Sequence, residues 1–227
     1  MSTGDFSSLN LAASSDDDPA AVAENLRIVL RRFTGEQSSP AVLMHQVHGA
    51  DVALVDEVTE EHRVLPAVDG LVTTLPGVTL VVRVADCVPV LLADAEAGVV
   101  AALHAGRPGL VAGIVPAGLR AMRAAGAERV TAWLGPSVCG SCYEVPAEMR
   151  AQVCADVPEA WGETSWGTPS VDVAAGVRAQ LAAAGVDVVD AGRCTLEHDD
   201  LFSYRRDGTR SGRMAGLVRI RPEGAAR

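Results

Sequence analysis

The stretch VADCVPVLLADAEAGVVAALHAGRPG, residues 84–109, holds two apolar, valine-rich runs separated by an acidic turn that ends in glycine. The runs read as two strands of a hairpin, with Cys87 opening the first and His104 closing the second. Pro89 marks a bulge, a break or an edge position in the first strand. A cysteine among valines is ordinarily a small hydrophobe. A histidine followed by Ala-Gly, where backbone can approach closely, is harder to explain by packing. Three readings are open: a structural pair, a nucleophile with its base, or two ligands of a metal.

Upstream, "GVTLVVRVADC" extends the same β-rich run and "DGLVTT" begins another short strand. "AVLMHQVHGADVALVD" reads as a strand, a turn at Gly49-Ala50-Asp51 and a second strand. Strand side chains alternate, so Gln46 and His48 share one face of HQVHG. His48 precedes a glycine where the chain turns, as His104 precedes Ala105-Gly106. Nearer the start, Asp18 is an N-cap with Pro19 as first helical residue. Val22, Leu26, Val29, Leu30 and Phe33 recur at helical spacing, which predicts a helix over 19–33. Downstream, residues 110–125 form a helix despite Pro116, "RVTAWLGP" a strand, and Pro146 opens a further helix. Asp172 caps another helix through Ala184, residues 186–189 form a strand, and "LFSYRRDGTRSGRMAGLVRI" is a strand, a glycine-rich turn and a strand. The elements lack strict β-α-β alternation. The class is therefore α+β, with mixed sheets packed between helices, as a single domain over 1–227.

Of 227 residues, 48% are apolar and 21% charged, an ordinary globular balance, while 4% aromatic content leaves Val, Ala and Leu to build the core. A net charge of -10, with 19 basic residues that form no dense block, argues against nucleic acid as a partner. The polar, acidic start does not read as a signal peptide, and no apolar run approaches the ~20 residues of a membrane span. The five cysteines, Cys87, Cys139, Cys142, Cys154 and Cys194, are odd in number and scattered, which reads as reduced thiols in the cytoplasm.

His48, Cys87 and His104 all fall at strand ends. Two imidazoles and a thiolate suit zinc, and three protein ligands leave a fourth position open, the pattern of catalytic sites. A Cys87 nucleophile with His104 or His48 as base needs the same residues within hydrogen-bond reach. "CGSC", Cys139 to Cys142, is a C-x-x-C, but Tyr143-Glu144-Val145 separate it from the next helix, unlike a redox motif. It reads as a loop shaped by its glycines, needed for neither metal nor turnover. Arg205, Arg206, Arg210 and Arg213 surround one turn, and guanidinium forks suit phosphate or carboxylate. His62 reads as exposed and His198 as a loop residue. The common nucleotide, zinc-protease and serine-hydrolase motifs are missing from the sequence.

Together, "QVHGADV", "DGLVTTLPGVTLVVRVADCVPVLLAD", "GVVAALHAG", "AWLGPSVCGSCYEV" and "FSYRRDGTRSGRMAGLVRI" resemble the YfiH-like family over almost the whole chain. Its members are labelled polyphenol oxidoreductase (laccase domain), purine nucleoside phosphorylase and peptidoglycan editing factor. The resemblance implies a layered α/β sandwich in which His48, Cys87 and His104 are the metal ligands and the catalytic residues. It implies zinc, with copper as the alternative ion. It further implies a purine nucleoside as substrate, split by phosphate or deaminated, with Arg107, Tyr143 and Arg205 against it. The alternatives are hydrolysis of peptidoglycan precursors, or metal binding with little turnover. A monomer meeting small molecules, without nucleic acid or membrane, is the expected setting. One departure stands out: the family's H-A-G-W-R-G reads "HAGRPG" here. If that motif continues a strand, Arg107 points away from the site. If it turns into the following helix, Arg107 can still reach the ligand.

Overall fold

Uninterrupted runs of Val, Ala and Leu can be strands only where both faces of a sheet are covered. The computed structural model, which describes residues 1–7, 9–12, 15–58 and 61–222, covers them. The strands are β1 (Ala41–Met44), β2 (Val52–Val55), β3 (His62–Leu65), β4 (Gly70–Thr73), β5 (Thr79–Val84), β6 (Val88–Asp94), β7 (Val99–Ala105), β8 (Thr131–Leu134), β9 (Trp161–Glu163), β10 (Pro169–Val171), β11 (Asp187–Asp190) and β12 (Met214–Arg219). The helices are α1 (Pro19–Thr34), α2 (Arg107–Ala112), α3 (Ile114–Ala124), α4 (Ala147–Asp156), α5 (Val173–Ala183) and α6 (Tyr204–Asp207). Among the described residues none is long and apolar enough to cross a membrane.

Two mixed sheets lie face to face, a four-stranded one in the order β12-β5-β1-β3 and a six-stranded one in the order β11-β8-β6-β7-β4-β2. The two-residue period sorts their side chains. Along β5, Leu80, Val82 and Val84 enter the core between the sheets, while Val81 meets Leu30 of α1 on the other side. Along β7, Val100 and Ala102 join the core between the sheets; Val99, Ala101, Leu103 and Ala105 join the core beneath the helices α2 to α5. The layers therefore run α1, sheet, sheet, helices, and the α+β class with mixed sheets between helices holds. Each fully buried Val or Leu contributes about 1.5–3 kcal/mol, and these cores hold few aromatics.

The hairpin at residues 84–109 is β6 with β7, paired from Val88↔Ala105 to Asp94↔Val99. The break falls at Ala85-Asp86-Cys87, so Pro89 sits at the head of β6, before its second partner β8 joins at Val90. Asp18 and Asp172 cap α1 and α5, each accepting a first-turn backbone N–H.

Four expectations need correction. Strand β1 stops at Met44, so Gln46 and His48 lie in a loop rather than on one strand face. The single helix over 110–125 is two, beginning at Arg107 and divided at Gly113, whose φ of 83° is left-handed. Pro116 is harmless in the first turn of α3, where no N–H is needed. The expected strand after Leu201 is instead α6, capped by the Ser203 side chain, followed by a 3₁₀ turn. Finally, β3 and the β9–β10 hairpin carry no clear alternating pattern and were not anticipated; His62 lies in β3, half-buried rather than exposed.

Candidate functional site

Two crossings of the chain between the sheets build the site. The loop 45–51 leads from β1 in the smaller sheet to β2 in the larger, and Ala85-Asp86-Cys87 leads from β5 to β6 in the same direction. The first carries His48, the second Cys87, and β7 delivers His104 between them.

Both crossings contain a left-handed residue other than glycine, His48 at φ 62° and Asp86 at φ 85°. Such conformations persist only when the surroundings enforce them. Asp69 enforces the first: its carboxylate accepts the backbone N–H of Val47 at 3.1 Å, His48 at 2.9 Å and Gly49 at 2.7 Å. Asp86 is held by its own acceptors. Its carboxylate takes the Thr195 hydroxyl at 2.5 Å and the Arg205 N–H at 2.6 Å, and its carbonyl takes the Val138 N–H at 2.9 Å.

Asp69 is fully enclosed and also meets His104 Nδ1 at 2.7 Å. Fixing Nδ1 leaves Nε2 as the nitrogen free to act. His48 Nε2 lies 3.8 Å from Cys87 Sγ, and the two imidazole rings stand edge to face with centroids 4.7 Å apart. One donor atom from each of His48, Cys87 and His104 falls within a 4.8 Å sphere of mutual distances. Gly106 makes the approach possible, since a Cβ there would sit 2.6 Å from His48 Cδ2 and 3.1 Å from Cys87 Sγ.

Burial alone would raise the Cys87 thiol, but hydrogen bonding from His104 and His48 overrides it and brings the group down to about 6. Burial likewise opposes charge on His104, and the Asp69 carboxylate and Cys87 overcome it, raising the imidazole to about 9. Without a metal, the pair is a thiolate beside an imidazolium stabilised by a buried carboxylate.

The three donors form one wall of a cavity of about 1070 Å³. Arg83, Arg107, Arg205 and Arg213 line the rest, with Tyr143 and Tyr204. The Arg205 guanidinium lies 4.9 Å from the Tyr143 ring centre and Arg213 lies 5.5 Å from that of Tyr204. The turn into α2 keeps Arg107 on the cavity, with its Nε buried and without a hydrogen-bond partner among the described residues. The strand alternative for "HAGRPG" is thereby excluded. Arg206 and Arg210 do not join: the first clamps the carbonyls of Thr195, His198 and Leu201, the second pairs with Asp5.

Sequence reasoning missed Asp69, Arg83 and the use of Gln46. Gln46 exchanges two hydrogen bonds with the Arg83 backbone, at 2.7 and 3.0 Å, which ties the first crossing to β5. A lone arginine within "LVVRVAD" was a usable signal, because a charge inside an apolar strand is seldom buried without a task. Asp69 offered only an Asp-Gly pair that reads as a turn.

Residues 1–221 match the family model described as multi-copper polyphenol oxidoreductase laccase, and the chain belongs to that family. The resemblance to YfiH-like proteins is borne out by fold as well. The crystal structure of the Bacillus licheniformis protein YfiH superimposes with a TM-score of 0.87 at 26% identity, covering 97% of this chain and 88% of that one. A protein of Streptomyces griseus named purine nucleoside phosphorylase ORF3 is 56% identical over 221 residues, 96% of this chain and 89% of its own. Adenosine deaminase RL5, from an unknown prokaryotic organism, is 35% identical over 239 residues, 94% of this chain and 88% of its own.

Proposed function

We propose that the chain is a zinc enzyme of purine nucleosides that cleaves the glycosidic bond with phosphate. The observation that carries this reading is the joining, in one cavity, of a soft three-donor cluster and four arginines. The donor set fits a metal ion. It offers two imidazole nitrogens and a thiol already shifted toward thiolate, with Asp69 fixing the tautomer of His104 and a cavity on the open side. His48, Cys87 and His104 would hold the ion, which would supply Lewis acidity.

The chain's own groups account for the rest. Phosphorolysis breaks the bond between ribose C1′ and the purine nitrogen and forms a bond from C1′ to a phosphate oxygen. The proton carried by the dihydrogen phosphate ends on the departing base. Arg107 and Arg205 present guanidinium forks that hold and orient the phosphate, and Arg83 and Arg213 add positive charge behind them. Tyr143, with Arg205 already against its ring, offers an aromatic face for the base. The relatives named purine nucleoside phosphorylase and adenosine deaminase support a nucleoside in this cavity.

The test is adenosine turnover across a phosphate series, with zinc and copper content measured on the same samples. Adenine and ribose 1-phosphate should appear in proportion to phosphate, and Arg107→Ala should raise the phosphate KM by about 10-fold or more, the loss of one charge-assisted contact. Phosphate-independent release of inosine alone would overturn phosphorolysis in favour of deamination. Turnover unchanged in Cys87→Ser would overturn the assigned site.

A further inference from the structure

The turn Cys139-Gly140-Ser141-Cys142 does not stand alone. Backbone pairing of Ser137 with residues 193–195 brings Cys194 beside it, and the chain then returns Glu197 to the same point. The Sγ atoms of Cys139, Cys142 and Cys194 and a carboxylate oxygen of Glu197 all lie within 4.8 Å of one another. Glu197 Oε1 is 3.2 Å from Cys142 Sγ and 3.9 Å from Cys139 Sγ, and the Cys139 N–H points at Cys194 Sγ from 3.4 Å. No disulfide joins any of them.

We propose that these four residues are a second zinc site, structural in kind and separate from the His48, Cys87 and His104 cluster. Three thiolates and a carboxylate complete a tetrahedron without an open position, which distinguishes a structural site from a catalytic one. Zinc–sulfur bonds of about 2.3 Å place tetrahedral sulfurs roughly 3.8 Å apart, so the observed spacing closes on an ion by an ångström or less. Cys142 and Cys194 are buried. Packing three thiols around a carboxylate gains little unless a cation replaces their protons, which binding would release. Arg206, which takes no part in the cavity, holds the 195–201 segment that carries Glu197 by three carbonyls.

The location gives the ion a task. Val138 and Tyr143, which flank the C-x-x-C, both line the cavity, and Thr195, next to Cys194, holds the Asp86 carboxylate. Zinc here would pin the wall that presents Tyr143 and Arg205.

Zinc content separates the two sites. Wild-type protein purified under reducing conditions should carry about two zinc ions per chain, and the His48→Ala, Cys87→Ser double variant about one. Adding Cys142→Ser to that double variant should remove the last ion. In the same double variant, cobalt loading should give a strong sulfur-to-cobalt charge-transfer band, which Cys142→Ser abolishes. Cys142 is buried, so Glu197→Gln serves as the variant that keeps its fold: it should release zinc to a chelator about 10-fold faster or more. A double variant with an intact fold but no zinc would overturn the proposal. So would copper in place of zinc, a Cys139–Cys142 disulfide in freshly purified protein, or Glu197→Gln releasing zinc at the parental rate.

Discussion

Replacing Asp69 by Asn keeps the shape of the side chain and removes its charge. The carboxylate serves four donors: Oδ1 takes His48 N–H and His104 Nδ1, and Oδ2 takes Val47 and Gly49 N–H. An amide has one acceptor oxygen, so its NH₂ must face two of these groups. Turned toward Val47 and Gly49, it strands two part-buried donors. Turned the other way, it strands His48 N–H and drives His104 to accept at Nδ1, which moves the ring proton to Nε2. One or two stranded donors at about 1–3 kcal/mol each, with the lost charge assistance, sum to about 3 kcal/mol. For a chain of this length that is a fall of roughly 6–12 °C in Tm, within what a domain of 5–15 kcal/mol survives. The inverted tautomer also removes a ligand, so zinc affinity should drop about 10–100-fold. Calorimetry on chelator-stripped protein reads the stability, and competition with a chromophoric chelator reads the affinity. If Asp69→Asn bound zinc within about two-fold of wild type, the role assigned to Asp69 in setting the His104 tautomer would be wrong.

Gly106→Ala should displace His48, since the new Cβ would lie 2.6 Å from its Cδ2, and zinc titration should show weakened binding while far-UV dichroism stays unchanged. In metal-free protein, iodoacetamide should alkylate Cys87 with a rate that is half-maximal near pH 6, following its lowered value; a midpoint at the ordinary thiol value would refute the thiolate–imidazolium pair. The stability signs agree with this. The depressed Cys87 contributes fully above about 9 and loses its part as pH falls through about 6, whereas the raised His104 contributes fully below 6.5 and loses its part as pH climbs through about 9. Between about 6.5 and 9 the two slopes cancel, because the folded pair holds one proton on His104 and the unfolded pair one on the thiol, so these groups should leave the stability of metal-free protein nearly level with pH there, as chemical denaturation at several pH values would show.

The hairpin at residues 84–109 was legible because its strands are buried on both faces and bounded by turn residues. Helices α1 and α5 were legible because Asp18 and Asp172 are true caps. Which strand belongs to which sheet was not legible, because β1 pairs in parallel with β3 and β5, and β2 with β4, through contacts that no local pattern encodes. The HQVHG loop alternates like a strand, yet Asp69, far along the chain, captures three of its N–H groups and bends it. Of the candidate residues, His48, Cys87, His104, Arg107, Tyr143 and Arg205 do meet at one cavity. That Cys194 and Glu197 come up to the C-x-x-C loop from another part of the sequence is a proximity no local pattern encodes.

The two crossings have a mechanical meaning as well. His48 and Cys87 sit where the chain passes from one sheet to the other, so any slip of one layer over its neighbour would pull them apart. An ion held there would act as a rivet through both layers. Holding the sheets in register and holding the donors in reach are then a single requirement, met by the same few residues.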